Sequence, residues 1–406
     1  MYQNLTNEKS ALAIQAIMLN HLYSWLRLPM ANLLDRNDII RFCCSRSWQA
    51  NHILKLLFAI NQIEYIENYK HVIDDVDALP RRPPDASSRL MTLACSDDFR
   101  AAVAAGISLI RDSINLADIH YPQIKADAFF RIATNEYKIS VTSEDKIRLA
   151  ESIADVYKTI HGIEIFIVEG SLAKGTSDES SDVDLIAYCN FIPDTGTRKT
   201  RLLMIDEKSL VIPKSDRFTV DGVYVHVDFE TLSIIEDTFS VFPQSICQTF
   251  DLWEPIQVGK AMWDPKSIFQ EWKHRMTKTS QKYKTQLIAE LSLLLQEEKR
   301  QFDISAQNDD LMYCSMVLGN ILTIYFQLLG LINHQFLFFP KWMNYALQFM
   351  DYKPDDIHDR FANILAREIN HDTLGIMTDG LQKLINELMG LLPQKKGSRL
   401  FIESEW

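Results

Sequence analysis

Between Glu169 and Tyr188 the chain reads EGSLAKGTSDESSDVDLIAY. Gly170-Ser171 closes one apolar run, a polar stretch follows, and Asp182 and Asp184 then stand one residue apart as another apolar run begins. Alternate side chains of a strand share a face, so these two aspartates point the same way while Val183 and Leu185 point into a core. A later run sets His226, Asp228 and Glu230 on one face in the same manner. Carboxylates crowded on one face repel each other, and a third brought across a sheet is costly unless a cation neutralises the group. Oxygen donors of this kind suit magnesium, which keeps waters and substrate phosphates in its shell. Two such ions about 3.5–4 Å apart can hold the attacking and leaving oxygens of an in-line phosphoryl displacement. Asp228 lies deeper in its apolar run than Glu230, which favours it as the third carboxylate; Glu230 shares its face and stays open as the alternative. Since magnesium takes oxygen, His226 reads as a structural or rim residue.

Gly170 and Ser171 supply the complementary half of such chemistry. A glycine lets backbone approach a phosphate closely, and the serine hydroxyl and neighbouring N–H groups donate to its oxygens. A helical turn after Ser171 would also favour an anion, and Lys174 adds positive charge beside it.

Several elements must position these residues. SEDKIRLAESIADVYKTI begins with Ser143 as an N-cap, carries Glu144 and Asp145 in its first turn, and has an apolar stripe able to lie on a sheet. The strands IEIFIVEG and VDLIAYC flank the polar loop, and FTVDGVYVHVDFETL is a hairpin turning at Asp221-Gly222. Residues 143–254 therefore read as a small mixed sheet with helices. Upstream, RNDIIRFC and SWQANHILKLLFAINQIEYI read as short helices, followed by an alternating ribbon, IEYIENYKHVI, over Ile63–Ile73. That order, helix, turn, helix and ribbon, is a winged-helix-like arrangement over residues 1–80. The Pro-rich LPRRPPDASS reads as a linker, so that 81–142 becomes a linker with helices. From about Pro255 the periodicity is helical, and 255–406 reads as a bundle. The expected fold class is α+β: a mixed-sheet core between a winged-helix-like N-terminal domain and a C-terminal helical bundle.

The set Gly170-Ser171, ten residues, Asp182-Val183-Asp184 and a carboxylate on a later strand resembles the nucleotidyltransferase fold of the DNA polymerase beta superfamily. The resemblance covers about Ser143 to Asp237. It implies that Gly170 and Ser171 hold the β- and γ-phosphates of a nucleotide, with Lys174 and Ser181 also on the nucleotide. Asp182, Asp184 and Asp228 would bind Mg2+ (or Mn2+) and carry catalysis, with Asp228 taking the acceptor's proton. Lys174 stands where many such proteins have arginine, which keeps the charge and loses a bidentate fork. The C-terminal stretch ILTIYFQLLGLINHQFLFFPKWMNYAL resembles the helical domain of small-molecule nucleotidyltransferases, a setting that places Lys341 within reach of the triphosphate. More weakly, the N-terminal region resembles the dimerisation domain in front of many O-methyltransferases, which implies a homodimer.

Composition narrows the acceptor. The 406 residues carry a formal charge of −12, which argues against a protein that coats nucleic acid or an acidic membrane. Met316–Ile332 is apolar but interrupted by Gly319, Asn320, Thr323 and Gln327, and reads as a buried helix. Six cysteines without a C-x-x-C spacing, and an N-terminus without a signal-peptide pattern, fit a reduced cytoplasmic protein. The expected activity is transfer of a nucleoside monophosphate, AMP from ATP, to a small-molecule acceptor with release of pyrophosphate. Two alternatives stand beside it: a toxin-like protein-modifying nucleotidyltransferase, and a DNA-binding regulator with a nucleotide-sensing domain.

Overall fold

The computed structural model describes residues 4–18, 33–34, 38–65, 72–124, 141–178, 181–203, 205–206, 209–240, 246–335, 343–348 and 350–392. Their packing divides the chain into two units, Met1–Asn135 with Ala289–Trp406, and Glu136–Ile288. In chain order the first unit supplies α1 (Asn7–Ile17), α2 (Ile39–Ile60), α3 (Val72–Ala78), α4 (Ala86–Cys95) and α5 (Phe99–His120). The second holds α6 (Ser143–Tyr157), β1 (Ile163–Val168), α7 (Gly170–Lys174), β2 (Val183–Cys189), α8 (Thr195–Leu202), β3 (Leu210–Ile212), β4 (Ser215–Val220) and β5 (Val223–Thr231). After these come α9 (Leu232–Ser240), α10 (Ile246–Val258), β6 (Lys260–Trp263) and the long helix α11 (Ile268–Gln307). The first unit resumes at Ala289, within α11, and continues with α12 (Leu311–Ile332), α13 (Met343–Gln348), α14 (Ile357–Leu365) and α15 (His371–Leu391).

The helical unit is organised by α2 and α12, each buried on most of its surface. They cross closely at Gly319, where an added Cβ would lie 2.6 Å from the Ser47 side chain. The Ser47 hydroxyl lies 2.7 Å from the Ser315 carbonyl and 3.0 Å from that of Cys43. By length and composition α12 is apolar enough to cross a membrane, yet it is mostly buried within its unit, as expected for a core helix.

This unit departs from the winged-helix expectation. The stretch read as two short helices is the single helix α2, 22 residues long with no glycine or proline to break it. Its serines do not end it, because a serine hydroxyl can bond back to the preceding turn, as the Ser47–Cys43 distance shows. The expected ribbon is also absent among the described residues. Ile63 makes one bridge with Asn4, Val72 already begins α3, and 66–71 lie outside the described set. Helices before 135 and after 289 share one unit because α2 and α12 bury each other, and the sheet unit runs on to 288.

The second unit is mixed α/β, built on a six-stranded sheet in the order β3-β4-β5-β2-β1-β6. Strands β2 and β5 run parallel, and the other neighbours are antiparallel. β6 was not expected: four residues within a region of helical periodicity are too short to show alternation, and they add an edge strand beside β1. Asp221 and Gly222 turn the β4–β5 hairpin with positive φ of 49° and 78°, as the Asp-Gly pair predicts. Helix α6 already starts at Ser143, the residue expected as its cap, because the N-cap is Thr142, one residue earlier, whose hydroxyl accepts from Asp145 N.

One face of the sheet is the core. Phe166, Val168, Val183, Leu185, Ala187, Val225, Val227 and Phe229 pack there with Ile153, Ala154 and Tyr157 of α6. Side chains of the alternate parity, Asp184 of β2 and His226, Asp228 and Glu230 of β5, stand on the other face.

Candidate functional site

Parallel pairing sets Asp184 opposite His226, Ile186 opposite Asp228 and Tyr188 opposite Glu230. Asp184 and Asp228 are thus diagonal neighbours, and His226 links them. Its Nε2 lies 2.8 Å from Asp228 Oδ1, and its Nδ1 lies 3.8 Å from Asp184 Oδ1. On the far side β4 puts Ser215 opposite Asp228 and the mostly buried Arg217 opposite His226. The Ser215 hydroxyl lies 2.9 Å from His226 Nε2.

Antiparallel pairing of β1 with β2 places Val168 opposite Leu185, and Glu169 N donates to the Asp184 carbonyl at 2.9 Å. The chain then enters α7 through Gly170 at φ +63°. This is a left-handed conformation that favours glycine, and space demands it too: a Cβ at Gly170 would lie 2.6 Å from Asp184 Oδ2. Gly170→Ala is therefore expected to cost about 1–2 kcal/mol of stability through backbone strain. It should also push the Asp184 carboxylate out of place, so that cation-dependent nucleotide binding falls while the circular dichroism is unchanged. Chemical denaturation and a Mn2+ titration of the variant check both parts; a stability loss with unaltered binding would show that the glycine does not make room for Asp184.

The electrostatics of this face are dominated by carboxylates. Burial, then Asp184 and Asp228, push the Glu169 carboxyl up to about 8. Burial works against a charged His226 ring, yet Asp228 and Asp184 raise it to about 9. Burial likewise opposes ionisation of Asp228, but His226, Arg217 and Ser215 together hold it below the usual carboxylate range. The Asp228 side chain keeps 44% of its surface exposed, so it remains reachable by a ligand. Glu230 is raised mainly by burial, with Lys214 at 3.5 Å pulling the other way.

The expected site residues meet different fates. Gly170, Asp184 and Asp228 come together, and Ser171 is buried in the first turn of α7. Asp182 is half-buried just before β2. Lys174 forms an ion pair with Glu254 of α10. Ser181 closes its own loop: its hydroxyl lies 3.0 Å from Asp178 Oδ1 and accepts from Asp178 N at 2.9 Å. The buried Lys146 anchors that loop by donating to the Asp178 carbonyl at 2.5 Å. Lys341 and the aromatic run around it lie outside the described residues.

Glu169, Ser215 and Arg217 are additions that the motif did not bring forward. Glu169 immediately precedes Gly170, but the run 165–168 before it is apolar on both faces, so no alternation marks its side. Among the described residues, no three histidine, cysteine or acidic side chains are gathered closely enough to hold a metal ion. The donor types nonetheless fit a hard divalent cation: Glu169, Asp184 and Asp228 are oxygen donors close enough that Asp184 and Asp228 add to burial in raising Glu169. No protein-family model matches the sequence, and no curated protein matches it.

Proposed function

We infer that residues 136–288 form a divalent-cation-dependent nucleotidyltransferase of the polymerase-beta type, moving AMP from ATP onto a small-molecule acceptor in the cytoplasm. One observation carries the reading. Asp184, on a strand parallel and adjacent to that of Asp228, faces Gly170, whose left-handed backbone at the start of α7 has no room for a side chain next to Asp184. Acid pairs and phosphate-approaching glycines are the two halves of a triphosphate–cation site.

Asp184 and Asp228, with Asp182 at the entrance to β2, would hold the cation. When bound, Mg2+ would neutralise triphosphate charge and lower the pKa of the acceptor hydroxyl. The backbone at Gly170-Ser171 would carry the β- and γ-phosphates, and Lys174 would exchange Glu254 for a phosphate oxygen. Asp228 would take the acceptor's proton as its oxygen bonds to the α-phosphorus and the α–β bridging bond breaks, releasing pyrophosphate. The rest of the catalysis is positioning. The charge of −12 supports a small acceptor over a polynucleotide, which calls for a broad basic channel.

Calorimetry with non-hydrolysable nucleoside triphosphate analogues, with and without Mg2+, tests this reading. Binding of one analogue that requires Mg2+ and disappears in Asp182→Ala/Asp184→Ala is expected. Failure of every analogue to bind the wild-type protein would refute it.

A further inference from the structure

The histidine between the two aspartates has a position that neither packing nor metal ligation explains. Its side chain retains 20% exposure and both ring nitrogens face carboxylates, whereas the apolar residues of β5 lie on the opposite side of the sheet. Asp184 and Asp228 repel each other, and the 44% exposure of Asp228 leaves its carboxylate free to swing toward solvent. What opposes that swing is a pair of donors. A ring nitrogen carries one hydrogen, so Nε2–H is directed to Asp228 at 2.8 Å. The Ser215 hydroxyl, opposite Asp228 in register, turns its own hydrogen to the same carboxylate. Nδ1 meanwhile faces Asp184, and strand pairing holds the ring between Asp184 on β2 and Arg217 on β4.

We propose that His226 is a positioning residue of this site, which together with Ser215 locks the Asp228 carboxylate beside Asp184 so that both can meet one divalent cation. The inference rests on the nucleotidyltransferase reading and adds a residue to it. A donor that orients a liganding carboxylate acts on affinity without touching the ion, and losing one costs about 10–100-fold.

The experiment is a Mn2+ titration followed by electron paramagnetic resonance on the full chain with a non-hydrolysable ATP analogue, comparing wild type, His226→Leu, His226→Gln and Ser215→Ala. His226→Leu keeps the bulk and removes the donors, and its Mn2+ affinity should fall about 10–100-fold. His226→Gln restores an N–H near the Nε2 position and should recover most of the loss. A merely structural histidine would show no such rescue. Mn2+ binding to His226→Leu as tight as wild type, or tighter, overturns the proposal, because the ring would then be inert or a rival of the cation. Should His226→Leu fail to fold, Ser215→Ala decides: a loss of the same sign supports the lock, and unchanged affinity overturns it. A wild-type protein that binds neither Mn2+ nor nucleotide removes the nucleotidyltransferase reading itself and this inference with it.

Discussion

Asp228→Asn is expected to slow pyrophosphate release from ATP by about 10²–10⁴-fold, the usual contribution of a general base, with a much smaller effect on nucleotide binding. Glu230→Gln is expected to change the rate little. The sequence leaves these two acids on one face, and strand register separates them. Asp228 sits opposite Ile186, diagonal to Asp184, and receives His226. Glu230 sits one step further along, opposite Tyr188, beside Lys214. Asparagine preserves the shape of Asp228 and one oxygen, but it cannot take a proton. Until the acceptor is found, water can stand in for it, and labelled AMP and pyrophosphate can be followed directly. A crippled Glu230→Gln beside an active Asp228→Asn would transfer the role to Glu230.

The parts of this site that were legible in the sequence are those in which one face of a strand differs sharply from the other. The run VDLIAYC alternates an acid with core residues at its start, and VYVHVDFE alternates along its whole length, so β2 and β5 and their outward-facing acids could be read directly. The Asp221-Gly222 turn was legible because few residues other than Asn, Asp and Gly accept its dihedrals. Register was not legible. β2 and β5 are parallel neighbours separated in sequence by α8, β3 and β4, and nothing local states that Asp184 meets His226 rather than Asp228. His226 therefore read only as a structural or rim residue, with nothing to show that its ring nitrogens face both aspartates. Glu169 was hidden for the opposite reason, since the 165–168 run before it is apolar on both faces and gives no parity to count from.

Patterning failed in the helical unit through tertiary context. The serines of CCSRSW resemble a break, but Ser47 is satisfied by backbone carbonyls of α2 and α12, and the close crossing at Gly319 holds α2 helical through that point. That crossing partner lies more than 260 residues away in sequence, so a local window cannot see it.

The sheet also needs a support that its apolar pattern does not reveal, and the largest stability effect is expected there. Arg198 of α8 and Asp216 of β4 form a fully buried ion pair on the core face, under the strand that carries Asp228. Arg198 Nε donates to the Pro193 carbonyl at 3.0 Å, its Nη2 donates to Ile212 O at 2.6 Å, and its guanidinium stacks on Phe229 at 4.3 Å. Tyr157 OH donates to the other Asp216 oxygen at 2.8 Å. Even so, burial pushes the Asp216 carboxyl up to about 7 against the pull of Arg198 and Tyr157. Arg198→Met removes the cation and leaves a buried carboxylate, which should cost about 3–5 kcal/mol in urea denaturation at neutral pH. The sign of its pH dependence follows from the proton balance. Without Arg198 the folded-state pKa of Asp216 rises further above its unfolded value near 3.9, so the folded protein holds the extra proton. The deficit against wild type should therefore stay nearly constant from pH 4 to about 6 and grow as the pH rises through and above about 7. Arg198→Met/Asp216→Leu, which removes both charges, should recover most of the loss, because a buried pair is worth little over apolar residues of similar volume. A single variant that costs under about 1 kcal/mol, in the range of an exposed pair, would contradict this account. So would a double variant no more stable than the single one. Because Phe229 follows Asp228 directly and rests on the Arg198 guanidinium, the single variant should also lose cation-dependent nucleotide binding before it unfolds.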